Sequence, residues 1–404
     1  MSASPLLPVD EALARILAHA HPVGAETVPV ERAAGRVLAA DLTAARTQPP
    51  FPSSAMDGYA VRGADVTQVG RRLRVIGASV AGRAFDGAVA AGEAVRIFTG
   101  APVPAGADTV LIQEDARVVE DGVIEVTEAG TPGRHVRAAG LDFRAGDVLV
   151  RAGTVLDFRH ASLAAAMNHA TVEVVRRPRV AILATGDELV LPGETPGPDQ
   201  IIASNHIGVA ALVERSGGEA VFLGIAPDRT EAIASAVRRA ADDGADVLIT
   251  LGGASVGEHD LVRDAFGLEG LSLDFWKIAM RPGKPLMFGR LGPMHVLGLP
   301  GNPVSSLVCS LIFLEPLVRA LAGRGATPVA TEPAVLGAAM AKNDVRRDYV
   351  RAALTHDGDR LVATPARVQD SSMISVLTAA GCLIVREPGE PAADAGDACR
   401  IIRL

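Results

Sequence analysis

Lysine is nearly missing from this chain. Of 39 Lys and Arg residues in 404, only Lys277, Lys284 and Lys342 are lysine. Cysteine is almost as rare: Cys309, Cys382 and Cys399 are odd in number and share no CxxC spacing. That pattern excludes a disulfide framework and a thiolate zinc site. No HExxH occurs among the nine histidines, and His19 with His21 fits the end of a surface helix better than a metal pair. Excess positive charge is absent too. A net charge of −8 argues against a protein whose main task is to neutralise a nucleic-acid backbone or an anionic membrane. The sequence has no uninterrupted run of 18 apolar residues, and the segment MSASPLLPVDEALARILAHA shows no charged-then-apolar signal pattern. A soluble, cytoplasmic protein is expected.

What is present divides the chain. At this length one hydrophobic core does not suffice, and two to four domains are expected. From Arg179 to about Gly323, short β-rich apolar runs alternate with amphipathic helical ones: VAILAT, the helix SNHIGVAALVERSG, AVFLGIAPD, the helix TEAIASAVRRAADD, ADVLITLGGASVG, a short helix from about Asp260, MHVLGLPGNP and VSSLVCSLIFLEPLVRAL. The alternation implies an α/β domain with a mostly parallel sheet covered on both faces, spanning 7–26 and 178–325. Residues 46–146 are rich in Gly, Pro and short Val/Ile runs, with a hairpin signal at Asp121-Gly122, and predict a β-rich insert. Its flanks, 27–45 and 147–177, share a helix-plus-strand character and are expected to pair as an elongated linker domain. Residues 326–404, with a turn at Asp357-Gly358, predict a C-terminal β-domain.

In an open parallel sheet, ligands bind beyond the carboxyl ends of the strands. Four loops there carry polar groups: Gly186-Asp187-Glu188; Asp228; Gly252-Gly253-Ala254-Ser255-Val256-Gly257; and Pro300-Gly301-Asn302-Pro303, followed by Ser305 and Ser306. Glycines let a backbone approach an anion with its N–H groups turned inward, so Gly252, Gly253, Ser255 and Gly257 resemble a phosphate cradle. No GxxxxGK[ST] occurs, and a tight structural turn explains the same glycines. Pro303 fits a first helical position with Asn302 as cap, a second place for an anion, or simply a well-capped helix.

The positive charge such sites need has a candidate source in DFWKIAMRPGKPLMFG, which holds two of the three lysines and Arg281. Lysine is a compact ammonium on a flexible stem, whereas arginine is a planar fork that keeps its proton. In a chain that otherwise writes arginine, Lys277 and Lys284 point to a site whose geometry excludes the fork. Asp187, Glu188, Asp228 and Asp260 follow strand ends or the glycine loop. Each alone fits a helix cap; together beside a phosphate cradle they are what Mg²⁺ needs to bridge protein and phosphate oxygens.

Six stretches taken in order, PPFPSSAMDGYAV, RIFTGAPVPAGADTVLIQED, TGDELVLPG, TLGGASVGEHD, FWKIAMRPGKPLMFG and LGLPGNPVSS, resemble the molybdopterin molybdenumtransferases, the MoeA proteins and the gephyrin E domain. The resemblance implies an elongated homodimer of four-domain subunits with a C-terminal β-barrel-like domain. It also implies insertion of molybdenum, from molybdate, into adenylylated molybdopterin with release of AMP, aided by Mg²⁺. It assigns oxyanion binding to Lys277, Arg281 and Lys284, and phosphate binding to Ser255 with the glycine loop. It gives Asp187, Glu188, Asp228 and Asp260 the Mg²⁺ or the attacking group, and places Asp57, Thr99 and Asp142 opposite these loops from the other subunit, Asp57 and Asp142 as further catalytic carboxylates and Thr99 as a substrate-binding residue. Pro300, Asn302, Pro303 and Ser371 complete the substrate-binding set. The chain departs from the family at four places. It has Arg281 for Lys, Leu141 for a Glu beside Asp142, Asp199-Gln200 for Gly-Gln, and Gln369-Asp370-Ser371 for Gln-Gly-Ser. Rival readings are a related molybdopterin adenylyltransferase-type enzyme and a non-catalytic scaffold on the same fold.

Overall fold

The computed structural model describes residues 6–252 and 261–404. The chain divides into two compact units, one of residues up to Glu26, Gly35–Val37 and Val174–Leu404, the other of Thr27–Ala34 and Leu38–Glu173.

In the first unit, six strands among the described residues form a sheet in the order Glu219–Ala226, Arg179–Thr185, Val247–Leu251, Met294–Leu299, Met287–Leu291, Ser272–Trp276. The first four are parallel, as the alternation of strands and helices predicts. Met287–Leu291 runs antiparallel to both its neighbours, because it and Met294–Leu299 close as a hairpin around Gly292 rather than through a crossover helix. Side chains alternate across this sheet. Val180, Ile182, Val247, Ile249, Leu297 and Leu299 face the helices Val9–Leu17, Asn205–Ser216 and Pro303–Cys309. Ala181, Leu183, Leu248 and Val296 face the other way, against helix Thr230–Asp242 and Phe266 of Leu261–Leu268. The near-continuous apolar strands follow from burial on both faces.

One helical stretch among the described residues, Pro303–Leu321, is long and apolar enough to cross a membrane, with mean hydropathy 1.7. Most of it is buried inside the protein, where Phe313, Leu314 and Leu317 fill the centre of the core. A π-helical turn, Ser310–Leu314, interrupts it just before Pro316, whose missing N–H cannot continue the regular ladder.

Towards the C-terminus, five strands close on themselves in the order Arg347–Asp357, Arg360–Pro365, Glu332–Leu336, Ala398–Arg403, Cys382–Arg386, and back to Arg347–Asp357. The turn at Asp357-Gly358 joins the first two. The closed β-barrel is filled by Leu336, Val350, Ala352, Ala363, Cys382, Ile384 and Ile401. The alternating neighbours Tyr349, Leu383 and Ile402 point outward into the core of the α/β domain, so barrel and sheet share one hydrophobic cluster.

The second unit holds the β-rich insert. Its sheet runs Thr109–Ile112, Gly58–Val61, Glu93–Ile97, Arg72–Ser79, Val123–Val126, Ala116–Glu120, and the Asp121-Gly122 turn joins the last two. Apolar clusters cover it, one around Val61, Leu73 and Ile124, the other around Ala60, Val95 and Ile97. On its flanks Leu42–Thr43 pairs antiparallel with Val148–Val150.

Burial has a measurable consequence at His295. It is 4% exposed, and among the described residues its Nδ1 has no hydrogen-bond partner. Burial, reinforced by the nearby charge of Arg290, holds its pKa down at about 4 instead of 6.5. The unfolded chain therefore takes up a proton near pH 6.5 that the folded chain refuses, and acid favours unfolding. Stability from this group is complete above pH 6.5 and drains away as the pH falls towards 4, on the order of 3 kcal/mol in all. Denaturant titrations across that window should show the slope, and His295→Leu should flatten it.

Candidate functional site

The carboxyl ends of the parallel strands open into a cavity of about 720 Å³. Its rim collects the loops that the strand pattern singles out: Gly186 and Glu188, Asp228, Gly252, and Pro300 through Pro303. The first of these depends on a glycine. Gly186 has φ +148°, and a Cβ there would lie 2.5 Å from a carboxylate oxygen of Glu188, so only glycine lets Glu188 fold back over the strand end.

Negative charge concentrates on this side. The backbone N–H of Asp228 donates to Asp187 Oδ1 at 3.2 Å. Partial burial first, then the charges of Asp187 and Glu188, push the Asp228 carboxyl above the usual carboxylate range. Among the described residues no three His, Cys, Asp or Glu side chains form a self-sufficient metal cage.

The opposite rim is the start of the central helix. Pro303 occupies its first turn, yet Asn302 does not cap it with its side chain. The Asn302 amide instead donates to Ser371 Oγ at 3.0 Å, and Val304 N donates to Ser371 O at 3.1 Å, so a segment of the C-terminal domain is fastened to this rim. Ser372, not Ser371, lines the cavity; its hydroxyl and N–H both donate to Asp370 Oδ1. Ser305 and Ser306 are buried in the helix and do not reach the lining. Asn205 closes the wall, its Nδ2 donating to Gly301 O at 2.8 Å.

The family of the chain follows from its whole length. Residues 7–168 match the MoeA N-terminal region (domain I and II), 181–320 the probable molybdopterin binding domain, and 333–404 the MoeA C-terminal region (domain IV). The chain is 35% identical over 399 residues to a molybdopterin molybdenumtransferase of Haemophilus influenzae, covering 98% of each. It belongs to the MoeA family of molybdopterin molybdenumtransferases. A molybdopterin molybdenumtransferase of Bacillus subtilis is 31% identical, over 98% of this chain and 94% of its own. The crystal structure of a molybdopterin biosynthesis MoeA protein from Pyrococcus horikoshii superposes with a TM-score of 0.85 at 30% identity, covering 99% of both chains.

Within that family frame the predicted residues fall into four groups. Glu188, Asp228, Gly252, Pro300, Asn302 and Pro303 line the cavity, with Asp187 beside Asp228. Gly253, Ser255, Gly257 and Asp260 lie outside the described residues. The basic segment contributes Pro285 to the lining, and Lys277, Arg281 and Lys284 are not among the lining residues. Lys277 is half-buried in a left-handed conformation, φ +77°, with Nζ 4.3 Å from the Trp276 ring centre. Lys284 is exposed, and its carbonyl accepts from Ile278 N and Leu286 N. Arg281 is ion-paired with Asp344 and Asp348 of the barrel, so the structure gives its guanidinium a protein partner where the resemblance implies an oxyanion.

The last group is in the insert. Asp57 Oδ1 accepts from both Thr99 N, at 2.7 Å, and Thr99 Oγ1, at 2.8 Å. These bonds, with the charge of Arg96, hold the Asp57 carboxyl below its usual range. Arg96 lies 5.0 Å over both the Tyr59 and Phe98 rings, which fixes it beside the pair. Asp142 is exposed, its N–H donating to Gln48 O.

Sequence reasoning missed Ser204, Asn205, His206, Ile201, Ile202 and Ser372 in the lining. Asn205 or Ser204 is placed by the sequence to cap the helix Asn205–Ser216, but the Ser204 side chain makes no capping bond and the Asn205 amide goes to Gly301 O. His206 stacks on Phe222 at 4.0 Å between ring centres, a contact between residues far apart in the chain that no local pattern announces.

Proposed function

We infer that this chain inserts molybdenum, delivered as molybdate, at the dithiolene sulfurs of molybdopterin presented in adenylylated form, and releases AMP. The observation that carries the reading is the cavity at the strand carboxyl ends, where the acidic Glu188–Asp228 side faces the Gly252 and Asn302 loops. That disposition suits a ligand with both a metal-seeking phosphate and a polar ring. Lys277 and Lys284 hold oxyanions whose charge redistributes as the anhydride breaks; a compact ammonium suits a changing charge better than a fork. Gly252, with the neighbouring glycine loop and Ser255, takes a phosphate, and Ser371 helps present the second rim.

The acidic side fits Mg²⁺. Burial first, then the charges of Asp187 and Glu188, raise the proton affinity of Asp228, and a cation among these carboxylates would relieve that repulsion. Mg²⁺ characteristically takes one or two protein carboxylates and fills its remaining positions with water and substrate phosphate, so an incomplete protein cage is the expected form. Asp187, Glu188, Asp228 and Asp260 would hold it, and the ion would supply charge neutralisation at the phosphate. The working form is a homodimer in which Asp57, Thr99 and Asp142 of the partner subunit complete each site. A cytoplasmic setting agrees with three cysteines that remain free thiols.

The test is AMP release from adenylylated molybdopterin by the purified protein. Turnover should require both molybdate and Mg²⁺ and vanish with EDTA. Release indifferent to molybdate would sink the reading, and formation of adenylylated molybdopterin from ATP with release of pyrophosphate would favour the adenylyltransferase-type alternative.

A further inference from the structure

Arg281 stands at the place where Met280–Arg281 pairs in parallel with Arg347 and Asp348 on the edge of the barrel, with Arg347 N donating to Ala279 O at 2.9 Å. From there its guanidinium reaches into the barrel. Nε donates to Asp348 Oδ2 at 3.0 Å, Nη1 to Asp344 Oδ2 at 3.1 Å and Nη2 to Asn343 Oδ1 at 3.3 Å, with a further close contact from Nη2 to Asp348. Asp344 pairs with Arg346 as well, while Asp348 takes two nitrogens of Arg281, so the donors of the fork are already engaged by protein acceptors and are not free for an incoming oxyanion.

The acceptors are themselves anchored. Asn343 is 7% exposed, and its Nδ2 lies within hydrogen-bond distance of the carbonyls of Arg346, Arg386 and Glu387. The side chain of Asp348 is only 14% exposed. A fork that spans two carboxylates and an amide does what a single ammonium cannot. The connection to Lys284 is short and stiff: Ile278 N donates to Lys284 O at 3.0 Å, closing the segment into a loop that contains Arg281, Pro282 and the fully enclosed Gly283. A shift at Arg281 is therefore carried to Lys284 and to Pro285, which lines the cavity.

We propose that Arg281, Asp344 and Asp348 are positioning residues that staple the Lys284 loop to the C-terminal barrel, and that Arg281 is not an oxyanion ligand. This rests on the role inferred above for Lys284. The staple makes the barrel part of the reaction machinery, since it sets where the ammonium stands.

A double-mutant cycle on the full-length chain tests it, with kcat and the KM for molybdate read from AMP release and the fold checked by thermal unfolding. Arg281→Ala and Asp348→Asn should each lower kcat about tenfold with little change in KM. The double variant should fall no further than the worse single, and Arg281→Lys should not rescue. Additive losses, or Asp348→Asn at full kcat while Arg281→Lys is active and Arg281→Ala raises KM, would overturn the staple and make Arg281 a direct ligand. If Asp348→Asn does not fold, Asp344→Asn carries the comparison with Arg346→Ala beside it, since Asp344 also pairs with Arg346 and only a loss absent from Arg346→Ala counts for the staple. A Lys284→Ala variant run alongside separates the two levels: its full activity removes the role of Lys284 itself, whereas its inactivity beside additive losses removes only the staple.

Discussion

Replacing Lys284 with alanine is expected to lower molybdate-dependent AMP release by about 100- to 1,000-fold while the protein remains folded. Lys284 is exposed, so its truncation opens no cavity in the core and leaves no buried partner unsatisfied. In the proposed role, what it removes is a cation for the charge that develops as the anhydride breaks, and that loss is expected in kcat. Asp228→Ala should act comparably for a different reason. Its carboxyl is raised by burial and by Asp187 and Glu188, so the folded chain holds that charge against a cost, and neutralising it relieves repulsion. Thermal unfolding at pH 7 should show Asp228→Ala at least as stable as the parent, with activity gone. Sites tuned for binding commonly trade stability in this direction. Undiminished turnover in both variants would remove the cavity from the mechanism.

The second large effect is structural. Gly283→Ala should destabilise the protein by about 2–5 kcal/mol, the sum of a left-handed backbone penalty and an overpacked core. Gly283 has φ +110°, and an added Cβ would stand 2.4 Å from Cys309 Sγ on the central helix. Cys309 is fully buried, and its thiol donates to the carbonyl of Gly283, so the helix cannot simply move aside. Denaturant unfolding gives the magnitude. Adding Cys309→Ala should recover the packing share and leave the backbone share, and an undiminished loss in the double variant would place the strain elsewhere. Because Gly283 lies one residue before Lys284, AMP release should fall along with stability.

Much of this architecture is visible in local pattern. The turns Asp121-Gly122 and Asp357-Gly358 sit between strands because both ask for a chain reversal that glycine permits, and the structure places strand hairpins at both. The loops after VAILAT, AVFLGIAPD and the LGLPGNP strand meet at one cavity because parallel strands direct all their carboxyl ends to the same edge. The antiparallel hairpin Met287–Leu291 and Met294–Leu299 was not legible as such, since an apolar run buried on both faces looks alike in either direction.

Side-chain partners were less accessible to sequence. Asn302 looks like a helix cap from its place before Pro303, yet its amide goes to Ser371, 69 residues on. Arg281 looks like one more cation in a basic loop, and nothing nearby in the sequence announces that Asp344 and Asp348 hold it. Ser372 rather than Ser371 reaches the cavity, because the Ser371 hydroxyl is taken up by Asn302.

The sequence by itself determined which segments become strands and helices, where the chain must turn, and which loops would gather acidic and glycine-rich chemistry at one sheet edge. These depend on residue periodicity and backbone preference, which act over a few positions. Only the tertiary structure decided that five strands close into a barrel sharing its core with the sheet, and that this barrel grips the lysine-bearing loop through Arg281. Closure and ion pairing join residues tens of positions apart, and their free energy comes from burial and charge complementarity that exist only once the chain has packed.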